Sequence, residues 1–133
     1  MATNQSTTRK LIYPELSYLI VGLCFQVHNE LGRFSREKQY ADSLENKIKE
    51  IKLPYKRELR VGDSGNIVDF LFDDKILLDL KAKRIVIKED YYQIQRYLQL
   101  LAIRLGIIIN FRSHYLTPKR VVLIETEAKY KFI

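Results

Sequence analysis

Two short apolar runs lie next to each other in residues 66–81, NIVDFLFDDKILLDLK. Such runs are typical of buried strands, and the charged cluster DDK between them predicts a hairpin. Each run contains an acid, Asp69 in the first and Asp79 in the second, and Lys81 follows Asp79 by two positions. Because side chains alternate along a strand, Asp79 and Lys81 point to the same face.

The length of the hairpin loop decides whether the two acids meet. A two-residue loop places Asp69 opposite Leu78, so that Asp69 faces away from Asp79. A three-residue loop, residues 73–75, places Asp69 directly opposite Asp79, with Lys81 on their face. Three-residue loops are common in hairpins, and we predict this register.

Two opposed carboxylates and an ammonium are the components of a metal-dependent phosphodiester-cleaving centre. Mg²⁺ and Mn²⁺ prefer oxygen ligands and keep several waters. The bound metal polarises a phosphoryl oxygen and activates water, while Lys81 orients that water or stabilises transition-state charge. The spacing of the residues leaves an alternative open, a structural salt bridge between Lys81 and Asp79 or Asp69.

Composition predicts one compact domain with an anionic partner. The chain has 133 residues, enough for a single core, and a net charge of +7. Nucleic acid is the first candidate partner and an acidic membrane surface the second. A basic protein without such a partner is the alternative, since the positive charge is spread from Lys10 to Lys131.

Several classes of protein are excluded by what the sequence contains. The single Cys24 excludes an internal disulfide, and one Cys with two His argues against a structural zinc site. No apolar run is long enough to cross a membrane, and the polar N-terminus lacks a signal-peptide core. We therefore expect a cytoplasmic protein, with disorder in residues 1–10 and one domain over residues 11–133.

Periodicity gives the order helix, helix, three strands, helix, two strands. Pro14 begins the first helix and Gly32 ends it, and Ser35 is the expected N-cap of the second, which runs to about residue 51. The third helix runs from about residue 91 to about residue 105 and ends at Gly106. A helix between two strands of one sheet makes a parallel crossover, so we expect a mixed sheet with helices on both faces.

This order, with an acid on the second strand and Asp-x-Lys on the third, resembles the PD-(D/E)XK nuclease superfamily, whose restriction-endonuclease-like core is αβββαβ. Six separated segments narrow the resemblance to the GxxExxY protein family and extend it from Leu16 to Val122. They are residues 25–32, 37–40, 68–71, 79–82, 93–98 and 109–111.

The resemblance carries the motif onto particular residues. Asp69 matches the first acid of the core motif, Asp79 the second acid and Lys81 the lysine. Glu37 and Tyr40 match the Glu and Tyr of the family name. The glutamine at the start of the helix after the third strand is Gln93.

The chain departs from the family pattern at three positions. Phe34 stands where the named glycine belongs, although Gly32 keeps the preceding one. This places the loop geometry before Glu37 in question. Asp79 replaces the more frequent Glu, so a metal would sit closer to that strand, and Val68 replaces the proline of the motif.

What the resemblance implies is a Mg²⁺-dependent nuclease, with Mn²⁺ as the other candidate ion. Asp69, Asp79 and Glu37 would hold the metal. Lys81 would help to activate the attacking water, and Gln93 would support the substrate. Target choice would come from a protein partner, a homodimer or the shape of the nucleic acid.

Substrate contacts are expected from three further residues. Tyr40 would pack beside Glu37 or bind a phosphate, and Lys83 and Arg84 would contact the nucleic-acid backbone. The structural alternatives are a favourable helix-dipole contact for Glu37, a core position for Tyr40 and a helix–helix hydrogen bond or solvent for Gln93. The alternative function is a non-catalytic nucleic-acid-binding or protein-interaction module on the nuclease fold.

Overall fold

A computed structural model describes residues 12–63, 65–125 and 130–133 of the chain. The described part is a mixed α/β fold of three helices and a six-stranded sheet, which confirms the predicted restriction-endonuclease-like class. The predicted disorder in residues 1–10 lies outside the described residues. The elements are α1 (Pro14–Leu31), α2 (Glu37–Glu50), β1 (Tyr55–Val61), β2 (Asn66–Phe72), β3 (Ile76–Lys81), α3 (Lys88–Leu101), β4 (Leu105–Asn110), β5 (Lys119–Glu125) and β6 (Tyr130–Phe132).

The strands lie in the sheet in chain order, from β1 to β6. All neighbouring pairs are antiparallel except β3 and β4, which are parallel and are joined through α3. The predicted parallel crossover and mixed sheet are therefore confirmed. Within the described residues, no helix combines the length and the apolarity that crossing a bilayer requires.

The hairpin between β2 and β3 has the predicted three-residue loop. Phe72 pairs with Ile76, and the register continues to Phe70 and Leu78. Asp73 and Asp74 both have left-handed backbones, with φ values of 50° and 54°. Asp tolerates this conformation better than most residues, which explains an acidic loop at this point.

The sheet separates two apolar clusters. α1 and α2 cover one face, where Ile20 and Leu44 belong to the same cluster as Leu80 of β3. α3 covers the other face, where Ile94 belongs to the same cluster as Leu77 of β3. Each face of the sheet thus packs an apolar cluster against helices, and the predicted placement of helices on both faces is confirmed.

The alternation along β3 sets the direction of its polar residues. Leu78 and Leu80 lie in the cluster under α1 and α2, whereas Leu77 lies in the cluster under α3. Because Asp79 and Lys81 follow Leu77 at steps of two, both point to the α3 face. The fold therefore places an acid and a base between the sheet and α3.

Three predicted helix boundaries were wrong. α3 begins at Lys88 and not at about residue 91. α3 ends at Leu101, where Ala102 adopts a left-handed backbone with φ 55°, and Gly106 lies inside β4. A Cβ on Gly106 would meet Ile94 Cδ1 at 2.7 Å, so this glycine allows α3 to pack closely on β4. The N-cap of α2 is Arg36, because the Ser35 hydroxyl donates instead to the Leu31 carbonyl at the end of α1.

The sixth strand was not predicted from the sequence, which gave only two strands after the third helix. β6 contains only three residues and pairs with β5 at the sheet edge. Three residues are too short a run to show an alternating pattern, so pairing rather than periodicity defines this strand.

Candidate active site

Asp69 and Asp79 meet across the hairpin, as the predicted register requires. The pairing of Phe70 with Leu78 places the two acids at the next opposed positions. Asp69 Oδ2 accepts a hydrogen bond of 2.6 Å from the backbone N–H of Leu80. Burial raises the pKa of Asp69 to about 8 and the neighbouring Asp79 carboxylate adds to the shift, while the Leu80 hydrogen bond opposes it.

The backbone is irregular at Asp69. Val68 and Phe70 lie in the clusters on opposite faces of the sheet, although strict alternation would place both on one face. The β1 residue opposite, Glu58, has a left-handed backbone with φ 54° between paired neighbours. Such distortions re-aim a side chain and occur next to active sites.

Asp79 carries a buried oxygen that lacks a hydrogen bond. The residue is 6% exposed, and within the described residues its Oδ2 has no hydrogen-bond partner. Lys81 Nζ lies 3.2 Å from this oxygen, which is an ion-pair distance, but without the geometry of a hydrogen bond. A buried acceptor without a hydrogen bond is unfavourable, so positive charge next to this oxygen, such as that of Lys81, is stabilising.

Lys81 is shared between two carboxylates. Its Nζ lies 3.9 Å from Asp90 Oδ1 in addition to the contact with Asp79, and its side chain is 17% exposed. Burial alone would lower the pKa of Lys81, but the carboxylates of Asp79, Asp90 and Glu37 raise it above its ordinary value. Lys81 is therefore a fixed cation and not a neutral base.

Asp90 links the start of α3 to the residues that follow β3. Its carboxylate lies 2.6 Å from Lys83 Nζ and accepts a hydrogen bond of 2.8 Å from the backbone N–H of Ile87. Burial would raise the pKa of Asp90, but these two donors lower it. Asp90 is thus a stable anion that neutralises part of the charge on Lys81 and Lys83.

Asn110 fixes the backbone just beyond Lys81. Its Oδ1 accepts from the Lys83 N–H at 3.2 Å and its Nδ2 donates to the Lys83 carbonyl at 2.7 Å. The Phe111 N–H also donates to the Lys81 carbonyl, at 2.8 Å. These bonds hold the ends of β3 and β4 together, so the position of Lys81 depends on both strands.

Glu37 approaches this cluster from α2, of which it is the first residue. The residue is exposed, yet desolvation raises the pKa of its carboxyl; Lys81 and Lys83 oppose the shift and Asp79 adds to it. Within the described residues, no three His, Cys, Asp or Glu side chains are grouped closely enough for a preformed metal cage. The structure therefore does not group Glu37 with Asp69 and Asp79 as the predicted set of three metal ligands.

A sequence model of the PD-(D/E)XK nuclease superfamily matches residues 14–121, most of the chain. The chain belongs to the PD-(D/E)XK nuclease superfamily. No curated protein and no solved structure matches it significantly. The predicted superfamily is confirmed and points to a nuclease-type function, while the narrower GxxExxY resemblance stays a prediction.

Tyr40 is packed in the core of the protein. It is fully buried and its ring stacks on Phe111 with centroids 4.2 Å apart. Its hydroxyl donates to the Gly32 carbonyl and accepts from the Ser35 N–H. These contacts hold the loop before Glu37, so they support the packing alternative and a positioning effect on Glu37.

The α3 face that looks toward the acids carries Asp90, Gln93 and Tyr97. These residues are three and four positions apart, which places them on one side of the helix. Tyr97 is 2% exposed; burial raises the pKa of its hydroxyl, and the charge of Asp79 adds to the shift. Gln93 is partly buried on this same side.

Sequence reasoning missed Asp90, Asn110 and Tyr97 as members of the site. Asp90 and Tyr97 could have been found from their spacing, which places them on the same side of the helix as Gln93. Polar groups on a helix side that packs against a sheet are unusual and indicate a site. Asn110 ends an otherwise apolar strand, and an amide at the end of a buried strand indicates a specific hydrogen-bond partner.

Lys83 and Arg84, the two predicted backbone contacts, have different surroundings. Lys83 pairs with Asp90, and its side chain is 39% exposed. Arg84 is exposed and lines a cleft of about 420 Å³ together with Asn110 and Lys119. The cleft adjoins the site through Asn110 and has basic side chains at its walls.

Proposed function

We propose that this protein is a metal-dependent nuclease that hydrolyses phosphodiester bonds of nucleic acid. One observation carries the proposal: Asp79 presents a buried carboxylate oxygen that accepts no hydrogen bond, opposite Asp69 and at ion-pair distance from Lys81. Membership of a nuclease superfamily and the net charge of +7 support it. Within the superfamily, the match of Glu37 and Tyr40 supports the GxxExxY family.

The donor set fits a hard divalent ion. Two carboxylates in a nearly dry site repel each other, and a cation between them removes this repulsion. Mg²⁺ is the proposed ion, with Mn²⁺ as a substitute, because both prefer oxygen ligands and complete their shells with water. Asp69 and Asp79 would hold it, with Glu37 assisting through water. The bound ion would polarise the phosphoryl oxygen and activate water.

Lys81 contributes positive charge to the proposed reaction. Its raised pKa keeps it protonated, so it stabilises the negative charge that develops on the phosphate or orients the attacking water. Asp90 holds it from the α3 side. This arrangement makes Lys81 an electrostatic catalyst whose position is set before substrate binds.

Substrate contacts complete the proposal. Gln93 faces the site from α3 and is assigned to the scissile phosphate or its attacking water. Lys83 and Arg84 are assigned to backbone phosphates, where they position without reading sequence. The contacts of Tyr40 leave it no free hydroxyl donor, so its effect on substrate would be indirect, through the loop that carries Glu37.

The test is cleavage of labelled single-stranded, duplex and structured DNA and RNA with Mg²⁺ or Mn²⁺. We expect cleavage by the wild type that is lost in Asp79→Ala and Lys81→Met. Asp74→Asn and Lys38→Met are the matched controls, because both side chains are largely exposed and lie outside the site. Cleavage that all variants share equally would contradict the proposal and indicate a contaminating nuclease.

A metal titration separates a nuclease from a binding module. Calorimetry of Mn²⁺ with the free protein should show a site that Asp79→Ala removes and Asp74→Asn keeps. Nucleic-acid binding that is indifferent to metal and to Asp79, without cleavage, would instead support the non-catalytic module on the same fold.

A further inference from the structure

Phe34 is an exposed aromatic residue in the loop between α1 and α2. It is 74% exposed although it is a large apolar side chain, and it lies three residues before Glu37. The guanidinium carbon of Arg33 is 4.9 Å from the centre of its ring, and that of Arg112 is 5.5 Å away. The high exposure of Phe34 shows that these two guanidinium groups leave much of its side chain open to solvent.

Both arginines are held in place by each other's backbone. Arg33 Nε donates to the Arg112 carbonyl and Arg112 Nε donates to the Arg33 carbonyl, each at 2.9 Å. In the part of the chain that the structure describes, neither guanidinium forms an ion pair with a carboxylate. The Phe34 platform, defined as Phe34 with these two arginines, therefore carries two fixed and uncompensated charges.

The Phe34 platform lies at the same end of the sheet as the candidate active site. Arg112 is two residues beyond Asn110, which is in register with Lys81 on the neighbouring strand. Phe34 precedes Glu37, whose carboxyl interacts electrostatically with Lys81 and Asp79. Both chain segments of the platform are thus adjacent in sequence to residues of the candidate active site.

A cleft of about 430 Å³ continues from the platform. Arg33 lines it, together with His28, His114 and Tyr115. Tyr115 is 79% exposed, and its ring meets that of His114 edge to face, with centroids 4.5 Å apart. This cleft therefore resembles the platform, because it also has an exposed aromatic ring, that of Tyr115, and a cationic side chain, that of Arg33.

We propose that the Phe34 platform stacks an unpaired nucleobase while Arg33 and Arg112 hold the adjoining phosphates. Exposed rings in a basic groove bind single strands, because every base has a π-face and the backbone supplies the anion. Bases inside a duplex are already stacked, so the ligand is an unpaired segment of DNA or RNA. That this segment belongs to the cleaved strand rests on the proposed nuclease function; the binding itself does not.

The experiment measures binding of short labelled oligonucleotides to the full chain in a chelator, where no metal-dependent cleavage occurs. Single-stranded DNA, single-stranded RNA and a duplex of the same sequence are compared. We expect the wild type to prefer the single strands. Phe34→Ala should weaken single-strand binding about ten-fold or more, and Phe34→Tyr should restore it.

Two further variants make the result specific. Phe34→Leu keeps apolar bulk and removes the π-face, so it should bind as weakly as Phe34→Ala. Tyr18→Ala is the matched control, because Tyr18 is 84% exposed in the first turns of α1, about 20 Å along the helix from its end. Its affinity should equal that of the wild type.

Unchanged single-strand affinity in Phe34→Ala and Phe34→Leu would overturn the proposal, as would a wild-type preference for duplex. Unchanged affinity with a loss of self-association in sedimentation would assign the platform to a second copy of the chain. Binding that depends on Phe34, without cleavage by the wild type in Mg²⁺, would keep this inference and reject the nuclease. Cleavage with Phe34-independent binding would do the reverse.

Discussion

The backbone N–H of Leu80 donates to Asp69 Oδ2 at 2.6 Å, and this bond joins β2 to β3 beside the second acid, Asp79. It fixes one oxygen of Asp69 and thereby the orientation of the whole carboxylate. The main-chain N–H of Leu80 thus holds the Asp69 carboxyl close to the Asp79 carboxyl. Such proximity is unfavourable without a cation, and its effects on stability are measurable.

The first prediction concerns pH. The pKa of Asp69 in the folded chain, about 8, is above the ordinary value of about 4. Its favourable contribution to stability is therefore complete below about pH 4 and is lost as pH rises through about 8. In metal-free buffer, Asp69→Asn should gain stability relative to the wild type over this interval, by a few kcal/mol in order of magnitude.

Chemical denaturation at a series of pH values measures this difference. Asn retains an oxygen that accepts from Leu80, so the variant removes the titration and keeps the hydrogen bond. Asp74→Asn is the control, because that side chain is 80% exposed in the same hairpin. Parallel stability curves for the wild type and Asp69→Asn would show that Asp69 titrates normally.

The second prediction concerns metal. An ion that binds only the folded chain raises its free energy of unfolding, by about 2.7 kcal/mol at a hundred times the dissociation constant. We expect Mn²⁺ to raise the melting temperature of the wild type and to have no effect on Asp79→Ala. An equal rise of the melting temperature in the wild type and in Asp79→Ala would show that the ion binds at a site that does not include Asp79.

The third prediction separates catalysis by Lys81 from a structural salt bridge. Lys81→Met should reduce cleavage about a hundred-fold or more, because a fixed charge next to the reacting phosphate is lost. Its metal affinity should equal or exceed that of the wild type, since a cation 3.2 Å from Asp79 Oδ2 is removed. Calorimetry and cleavage assays measure the two effects.

The structural alternative predicts a different outcome for the same variant. If Lys81 served only to neutralise Asp79 and Asp90, Lys81→Met would lower the free energy of unfolding by about 3 kcal/mol or more and change activity only in proportion to unfolding. Cleavage measured at temperatures where both proteins are folded distinguishes the two.

Much of the fold was predictable because its signals are local. The apolar runs around Asp69 and Asp79 defined the strands. The loop between them limited the register to two alternatives, and the structure confirms the predicted three-residue loop. The third helix also followed from periodicity, but its end did not. Ala102 adopts a left-handed backbone there, and alanine is not a residue type that predicts this conformation. Gly106 looks like a helix stop in sequence, and only the packing of Ile94 explains it.

The site was predictable only where a motif or strand alternation placed its residues. Asp69, Asp79 and Lys81 follow from the hairpin. The structure brings them together through the Asp69–Leu80 hydrogen bond and the Asp79–Lys81 ion pair. Asp90 and Asn110 come from other elements, and their contacts with Lys81 and Lys83 depend on how α3 and β4 dock on β3. Tertiary docking of this kind leaves little trace in a single sequence.

The last prediction tests the docking of α3 on the sheet with two glycines. A methyl group on Gly106 would lie 2.7 Å from Ile94 Cδ1, so Gly106→Ala should destabilise the protein, by about 1 to 3 kcal/mol. Shortening the opposing side chain in the double variant Gly106→Ala with Ile94→Val should recover part of this loss.

Gly22→Ala is the control: no atom lies within 4 Å of its added methyl group, and Ala favours the α1 helix, so stability should rise by about 0.5 to 1 kcal/mol. Denaturant unfolding of these proteins measures the coupling energy, and independent, additive effects at Gly106 and Ile94 would show that α3 does not pack on β4 through this contact.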